Sequence, residues 1–501
     1  MKKSPMRAAL LFMIISCFLM SNIVFAQQAL EQNKDEIDMS YLKSVMEMIK
    51  EKYKGQITEE ELIEGALKGM FDTMDPYTVY FTNEEAESFF GDMEGTYKGI
   101  GVMFTEVGKN LMVVKVFEAS PAEDAGIIEG DIIVEVDGKN VTGASSEEIA
   151  SLIKGEEGTK VTLGIMRDGE AEILKFEVVR KEIRINPVTY YIKDDIGYIK
   201  LEMFNSNTSE FMNKALEEMD KNQIKKIVLD LRDNPGGEVS QAVAVAEKLV
   251  PQGLITRLDF KSESQKDEEY YSDLKNLKYK LVVLVNEMSA SASEILAGAI
   301  QDTSAGVLVG TRTFGKGKVQ NIYPVLSPEA YKKYEDQLGV KVVNGYELFV
   351  KHGIRPLDEE IIGWTKITTG EYYTPKGRMI DGVGLEPDIH VENEKTVSID
   401  VRSVKKLKKV SKPGLNTKSA DVYNAEQILK LCGYEVDEPD TLMDKKTFNA
   451  VAKFQKDSGL YSYGVLDFTT QQALNEKLEG LVLKLDRQYT KALEVLNSKN
   501  S

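Results

Sequence analysis

The hydrophobic pattern changes period several times along the chain, and each change marks a new kind of element. Between residues 30 and 92 apolar positions fall at helical spacing: Leu42, Val45, Met46, Ile49 and Tyr53 share one face, and residues 59–71 form a second amphipathic stretch. From 93 to 183 the pattern becomes strand-like with glycine punctuation. Gly99-Ile100-Gly101-Val102 precedes one strand, Ser120-Pro121-Ala122 opens a short helix, Gly130-Asp131-Ile132-Ile133 leads into another strand, and Val136-Asp137-Gly138 is a turn. Ser145 and Glu148 have the spacing of a capping box, at the start of a helix that ends near Lys154-Gly155. Beyond 184, strands at 196–203, 226–231, 280–285 and around 307–309 alternate with helices at 206–219, 239–250 and 292–301. That alternation predicts an α/β fold with a partly parallel sheet.

The pattern breaks again after residue 400. Arg402, Lys405, Lys406, Lys408, Lys409 and Lys412 crowd a short stretch that ends in Pro413-Gly414. This reads as a solvated basic linker, 401–415, with attraction to an anionic wall polymer as the weaker alternative. Residues 416–475 form a small helical unit. From 476 to 501 one amphipathic helix is expected, with Leu478, Leu481, Val482, Leu485, Tyr489, Ala492 and Leu496 on one face. The plan is therefore multidomain: a helical N-terminal region (27–92), a strand-rich domain (93–183), an α/β core (184–400), the linker, a small helical domain and a helical tail.

Composition narrows the function. The chain has 501 residues, 42% apolar and 29% charged, which excludes wholesale disorder and a polytopic membrane protein. Lys plus Arg is 63 against 81 Asp plus Glu, a formal charge of −18, so no nucleic-acid partner is expected. Two cysteines and two histidines exclude disulfide scaffolds and Cys/His zinc centres, and neither a metal nor a cofactor is expected. At the N-terminus Lys2, Lys3 and Arg7 precede the apolar run 8–20, and Val24-Phe25-Ala26 fits a cleavage site before Gln27. A cleaved signal peptide, 1–26, is one reading and an uncleaved anchor the other. Lipidation at Cys17 is disfavoured by the apolar Phe18, Leu19 and Met20 that follow. Cleavage or anchoring both place the bulk of the chain outside the cytoplasm. After cleavage Cys432 alone remains, so no intramolecular disulfide can form.

With His352 and His390 as the only imidazoles, a Ser-His-Asp hydrolase has little to build on, and a lysine is the known substitute base. Three segments carry the chemistry. Asn286-Glu287-Met288-Ser289-Ala290-Ser291-Ala292-Ser293-Glu294 follows a strand directly and opens a helix. Such a junction exposes a nucleophile where free N–H groups stabilise an oxyanion; Ser291 with Glu294 is equally a plain capping box. Gly315-Lys316-Gly317-Lys318-Val319-Gln320 puts a lysine backbone where it can press against another segment. A desolvated ammonium there becomes a base, and Gln320 can hold the amine. The alternative is a surface turn with two solvated lysines. Asp230-Leu231-Arg232-Asp233-Asn234-Pro235-Gly236-Gly237 ends a buried strand and is either an N–H aimed at substrate or an ordinary strand-to-helix turn. Ser272-Asp273-Leu274-Lys275 spells S-x-x-K, but no S-D-N or K-T-G accompanies it.

Together these segments resemble the C-terminal processing peptidases, the tail-specific Ser-Lys proteases of peptidase family S41, built on a ClpP/crotonase-like core. Asp75-Pro76-Tyr77, Gly95-x-Tyr97-x-Gly99-Ile100-Gly101, Tyr372-Tyr373-Thr374-Pro375-x-Gly377-Arg378 and Gly384-Leu385-x-Pro387-Asp388-Ile389 add to the likeness, which covers roughly 60–395. It implies Ser291 as nucleophile, Lys316 as base and Gln320 as the residue that orients the lysine. The oxyanion hole would take the N–H of Ala292 and one from Gly236 or Gly237, leaving Ser289 and Ser293 as helix-start residues. Residues 93–183 then read as a PDZ domain in which Gly99, Ile100, Gly101 and Val102 hold a peptide tail, and Lys154 is a candidate for coupling to the active site. Residues 416–475 resemble a three-helix peptidoglycan-binding module, through Leu431-x-Gly433-Tyr434, Phe454-Gln455 and Gly459-Leu460. The implied function is an extracytoplasmic serine endopeptidase acting on protein or peptide substrates through their C-terminal tails. Peptidoglycan is a further partner, and a homodimer is expected through the amphipathic stretches 37–53 and 478–496. A catalytically silent wall-associated PDZ scaffold is the alternative, with the intact Ser291, Lys316 and Gln320 against it. One departure stands out: the connection at 322–362 is longer than the family leads one to expect, and reads as a lid, a substrate guide or a harmless insertion.

Overall fold

A computed structural model describes residues 40–498 except 108, 171, 263–264 and 393–398. The expected signal peptide, Cys17 and the start of the helical region lie outside the described residues. The chain forms two compact units, one from residues up to Thr82 with Tyr323–Lys366, the other from Asn83–Ile322 with the remainder from Ile367. Among the described residues no helix is long and apolar enough to cross a membrane.

In the first unit the amphipathic stretches become helices Ser40–Lys52 and Glu59–Phe71. Thr58 and Glu61 close a capping box on the second, satisfying N–H groups that the first turn leaves open. A strand not expected from the helical pattern, Val79–Thr82, pairs antiparallel with Gly363–Lys366. Its alternation buries Tyr80, whose hydroxyl donates to the Ile362 carbonyl at 3.2 Å. The long connection has its own structure. Helices Pro328–Leu338 and Gly345–His352 start on Ser327 and Asn344 caps, end on Gly339 and Gly353 at positive φ, and bury Leu326, Ala330, Tyr334, Val342 and Leu348 together.

The second unit holds the predicted domains. Strands Val102–Val107, Asn110–Val116, Ile132–Val136, Lys160–Met166 and Leu174–Val179 form an antiparallel sheet in that order, which leaves Val102–Val107 at an edge. Ile100, Leu111, Ile133, Ile149, Leu163 and Ile165 fill its core. The Ser145–Glu148 capping box forms at the head of helix Ser146–Ile153.

In the α/β core, strands Ile196–Leu201, Lys226–Asp230, Lys280–Val285, Gly306–Gly310 and Ile389–His390 run parallel, with Val188–Lys193 antiparallel at one edge. Both faces of the central strands are apolar, as a covered parallel sheet requires. Ile227, Leu229, Leu281 and Val283 pack under helices Thr208–Lys221, Val239–Leu249 and Ala292–Asp302. The alternate residues Val228, Val282, Leu284 and Val309 face the other way, onto Tyr489, Ala492 and Leu496.

That contact corrects two expectations about the end of the chain. The tail is two helices, Phe468–Leu485 and Arg487–Asn497, broken at Asp486, so the boundary expected at 475/476 falls inside a helix. Its apolar stripe is covered by the chain itself: Leu478, Leu481 and Leu485 close the core of the small helical domain, and Tyr489, Ala492 and Leu496 close the sheet. The stretch 478–496 is therefore not a free face for dimerisation. The linker reading also gives way. Val401, Val404 and Leu407 are buried in the same small core, and the interleaved basic side chains face outward. The lysine run disguised an apolar spacing of three.

Helices Ala420–Leu431, Lys445–Asp457 and Phe468–Leu485 make up the small domain. Between them lies Glu426, which accepts the Asp440 N–H at 2.6 Å and the Thr447 hydroxyl. Burial pushes its carboxyl up to about 8, against hydrogen bonds that work the other way. The folded state thus binds this proton more tightly than the unfolded chain, whose value is 4.5. The stability it contributes is full below that value and lost as pH rises through about 8. Glu426→Gln is expected to flatten the fall in melting temperature between these limits and to raise it by a few degrees at pH 8. Thermal melts of both chains across buffers check this.

Candidate active site

The three segments singled out in the sequence meet at the C-terminal ends of strands Lys226–Asp230 and Lys280–Val285, where parallel sheets place their ligand sites. Ser291 is the residue that enters helix Ala292–Asp302, and its backbone sits at φ +55°, ψ −115°. A side-chain-bearing residue stays in such a conformation only where its surroundings enforce it, at a cost of about 1–3 kcal/mol.

The surroundings can be named. Ser289 and Ser293 are buried, and their hydroxyls donate to the carbonyls of Leu231 (2.8 Å) and Asn234 (3.0 Å). The Ala290 N–H donates to the Asn234 carbonyl as well, at 3.0 Å. Asn286 accepts the Asp233 N–H at 2.9 Å and donates back to its carboxylate at 2.7 Å. The turn 286–293 is thus sewn to the turn 230–237, and of the three serines Ser291 alone is partly exposed.

Gly236, at φ +103°, lies so close that a β-carbon on it would stand 2.7 Å from the Ser291 β-carbon and 3.0 Å from the Ala292 nitrogen. Its own N–H donates to Asn234 Oδ1 at 2.9 Å. The N–H groups of Gly237 and Ala292 donate to no group among the described residues. Ala292 is the first residue of its helix, where the aligned peptide dipoles favour negative charge.

On the other side sits the lysine loop. Gly315 and Gly317 flank Lys316 where β-carbons would come within 2.9 Å of the Gly384 nitrogen and 2.5 Å of the Asp381 nitrogen, the close backbone approach the sequence suggested. Two residues to which the sequence reading gives no catalytic role fasten this loop to Ser291. Glu294, fully buried, accepts the N–H groups of Ser291 (2.9 Å), Gly315 (2.8 Å) and Lys316 (2.9 Å) and the Thr313 hydroxyl (2.6 Å). Burial raises its carboxyl above the ordinary range, while these hydrogen bonds oppose the rise. The Tyr372 hydroxyl reaches the Ser291 carbonyl at 3.1 Å and also the Lys316 carbonyl. A carboxylate inside an otherwise apolar helix was the available signal for Glu294. Gln320, on strand Lys318–Leu326, donates from Nε2 to Thr368 Oγ1 at 3.3 Å. No group of three or more His, Cys, Asp or Glu among the described residues is arranged to hold a metal.

The sequence-predicted tail residues lie apart, on the antiparallel domain. Ile100 is buried, Gly101 turns at φ +86°, and the Tyr97 hydroxyl lies against the backbone of Gly101 and Val102. Beside them a cavity of about 230 Å³ runs between the edge strand and helix Ser146–Ile153, lined by Tyr97, Val102, Phe104, Phe117, Ile153 and Lys154. The Lys154 ammonium stands 5.8 Å over the Tyr97 ring, so Lys154 belongs to this groove. Burial pushes the Tyr97 hydroxyl up to about 12.

Comparison with known proteins agrees with this layout. Residues 195–391 match peptidase family S41, 99–178 the PDZ domain, 418–474 the putative peptidoglycan binding domain, and 10–85 the N-terminal domain of the activating protease CtpB. The carboxy-terminal processing protease CtpA of Bacillus subtilis (strain 168) is 31% identical over 458 residues, 91% of this chain and 89% of that one. The carboxy-terminal-processing protease of Bartonella bacilliformis is 31% identical over 391 residues, 76% of this chain and 82% of that one. A solved photosystem II D1 C-terminal processing protease is 27% identical with a TM-score of 0.37, covering 69% of this chain and 86% of that one. A serine-type peptidase core, a peptide-binding PDZ domain and a peptidoglycan-binding-like domain occur here in one polypeptide, and the chain belongs to the carboxy-terminal processing proteases of peptidase family S41.

Proposed function

We propose that this chain is an extracytoplasmic endopeptidase that takes hold of a protein by its C-terminal tail and cleaves it with Ser291 and Lys316. The observation that carries the reading is Ser291 itself: a strained, partly exposed serine at a helix N-terminus, beside two uncommitted N–H groups. The Ser291 hydroxyl attacks the scissile carbonyl carbon while the neutral Lys316 amine takes its proton. The oxyanion is received by the N–H groups of Ala292 and Gly237, since the Gly236 N–H is engaged by Asn234. The Lys316 ammonium then protonates the leaving amine, and water, deprotonated by the same lysine, releases the acyl group. With its amide nitrogen on Thr368, Gln320 offers its carbonyl oxygen to orient the amine. The tail carboxylate is held by the N–H groups of Ile100 and Gly101, and the chain before it adds a strand to the free edge Val102–Val107. The small helical domain holds the enzyme to peptidoglycan. Helix Ser40–Lys52, which has no fully buried residue, is the remaining candidate for a homodimer contact.

The test uses an unstructured protein with an apolar C-terminus, incubated with residues 27–501 and with the Ser291→Ala variant, and read by mass spectrometry. Internal cleavage that requires a free C-terminus and is absent from the variant is the expected result. Equal cleavage by the variant overturns the assignment of Ser291, and no cleavage by either points to a PDZ gate that needs its own activator or to a wall-bound scaffold.

A further inference from the structure

The turn that carries Gly237 is held from behind by the end of the chain. Arg232, 2% exposed and in the middle of the 230–237 turn, donates from Nη1 and Nη2 to both oxygens of Asp486, at 2.7 and 3.0 Å. Nη1 also meets Gln488 Oε1 at 3.2 Å. The other side of the guanidinium is held by Asp230, within its own turn. Asp486 is the residue at which the last two helices break, and it caps the second by accepting the Tyr489 N–H at 3.0 Å. Its orientation is set by that cap and by Tyr489, whose ring packs on the sheet one turn into the helix. A second strut comes from the segment after residue 400 that packs in the small domain. Arg402 pairs with Asp233 at 3.0 Å, and Asp233 holds a positive φ of 64°. Between them the struts fix the two residues that set the course of Asn234-Pro235-Gly236-Gly237. Bidentate arginine pairs restrict position and angle as well as distance.

We infer that Asp486 is a positioning residue for the oxyanion turn, acting through Arg232, so that the terminal helix is a working part of the protease and not an appendage of the small domain. This rests on the Ser291–Gly237 reading above. Without Asp486 the guanidinium loses the partner that aims it, and the turn is free to move away from Ser291. A displacement of about 1 Å at such a site lowers turnover by about a hundredfold.

The experiment compares the full chain with Asp486→Asn, which keeps one acceptor and the shape, Asp486→Glu, which keeps the charge, and Leu496→Ala, which loosens the same helix without touching Arg232. Turnover of the unstructured substrate, KM, melting temperature and the affinity for a peptide boronic acid, which needs the oxyanion donors, are measured for each. Asp486→Asn is expected to lose at least about tenfold in kcat and in boronate affinity together, with KM within about twofold, a fraction of the loss from deleting a donor outright. Asp486→Glu recovers part of both. Leu496→Ala lowers the melting temperature but keeps kcat within about twofold well below its melt. Wild-type kcat and boronate affinity in Asp486→Asn overturn the inference, as does a kcat that follows melting temperature alone across all three variants. If Asp486→Asn fails to fold, Asp486→Glu decides by the same criteria. If the unmodified chain does not cleave, or Ser291→Ala cleaves equally, it is the serine-protease reading that has failed, and this inference falls with it.

Discussion

Replacing Lys316 with arginine is expected to lower kcat/KM by about a thousandfold or more while leaving the melting temperature within a few degrees. The two side chains are similar in length and both are cations in water, so the difference lies in the proton. A lysine whose ammonium is desolvated releases its proton and accepts one from serine, whereas a guanidinium stays charged at any working pH. The loop is fastened through its backbone. Its fastenings are the Lys316 N–H on Glu294, the Lys316 carbonyl under Tyr372 and the tight passage of Gly315 and Gly317 against residues 381–384. A dead, well-folded Lys316→Arg variant would separate chemistry from structure. Steady-state kinetics on an unstructured substrate, with a melt alongside, make the measurement. Activity within tenfold of the unmodified chain would remove Lys316 from the base role.

Much of this site was legible because strand-to-helix junctions announce themselves. The apolar runs ending at Asp230 and Val285, each followed by small and polar residues, predict two turns at the same end of a parallel sheet. The sequence leaves Ser291 as either a nucleophile or a helix cap, and the contacts of Glu294 go beyond those of a cap. Glu294 does reach back to the Ser291 N–H, as a capping box requires, but it gathers three more donors from residues 313–316. Local spacing predicts the first contact; the others join segments about 20 residues apart and have no local signature.

The end of the chain was misread for a related reason. Two helices whose stripes continue one another look like a single amphipathic helix, and Asp486 breaks them without a glycine or proline. Nor does sequence mark Arg232 as buried, because burial of a charge depends on partners such as Asp486 that lie 254 positions away. The basic segment after 400 misled by composition: its lysines are outside, and its three buried apolar residues are what hold it down.

Glu294 is where the second large effect is expected. Its Oε1 accepts from the Thr313 hydroxyl and the Gly315 N–H, and its Oε2 from the N–H groups of Ser291 and Lys316. Every partner is a donor: Oε1 serves two, and Oε2 serves two N–H groups with the Tyr372 hydroxyl also 3.5 Å away. In Glu294→Gln one oxygen becomes an NH₂ group, so whichever way the amide turns, at least two donors face a donor at a fully buried position. At about 1–3 kcal/mol for each buried group left unpaired, the variant is expected to lose about 2–5 kcal/mol of stability. Activity should fall by about a hundredfold or more, because the same oxygen that fixes Ser291 also fixes Lys316, and the pair is misaligned together. Glu294→Asp keeps the charge but withdraws the carboxylate by one methylene, so it cannot reach both loops and is expected to restore little. Denaturant unfolding gives the first number and steady-state kinetics the second. The informative outcome is their combination. A stability loss with kcat unchanged would make Glu294 an ordinary buried clamp. Loss of both, with Ser291→Ala showing native stability, would mean that one buried carboxylate sets the distance between nucleophile and base.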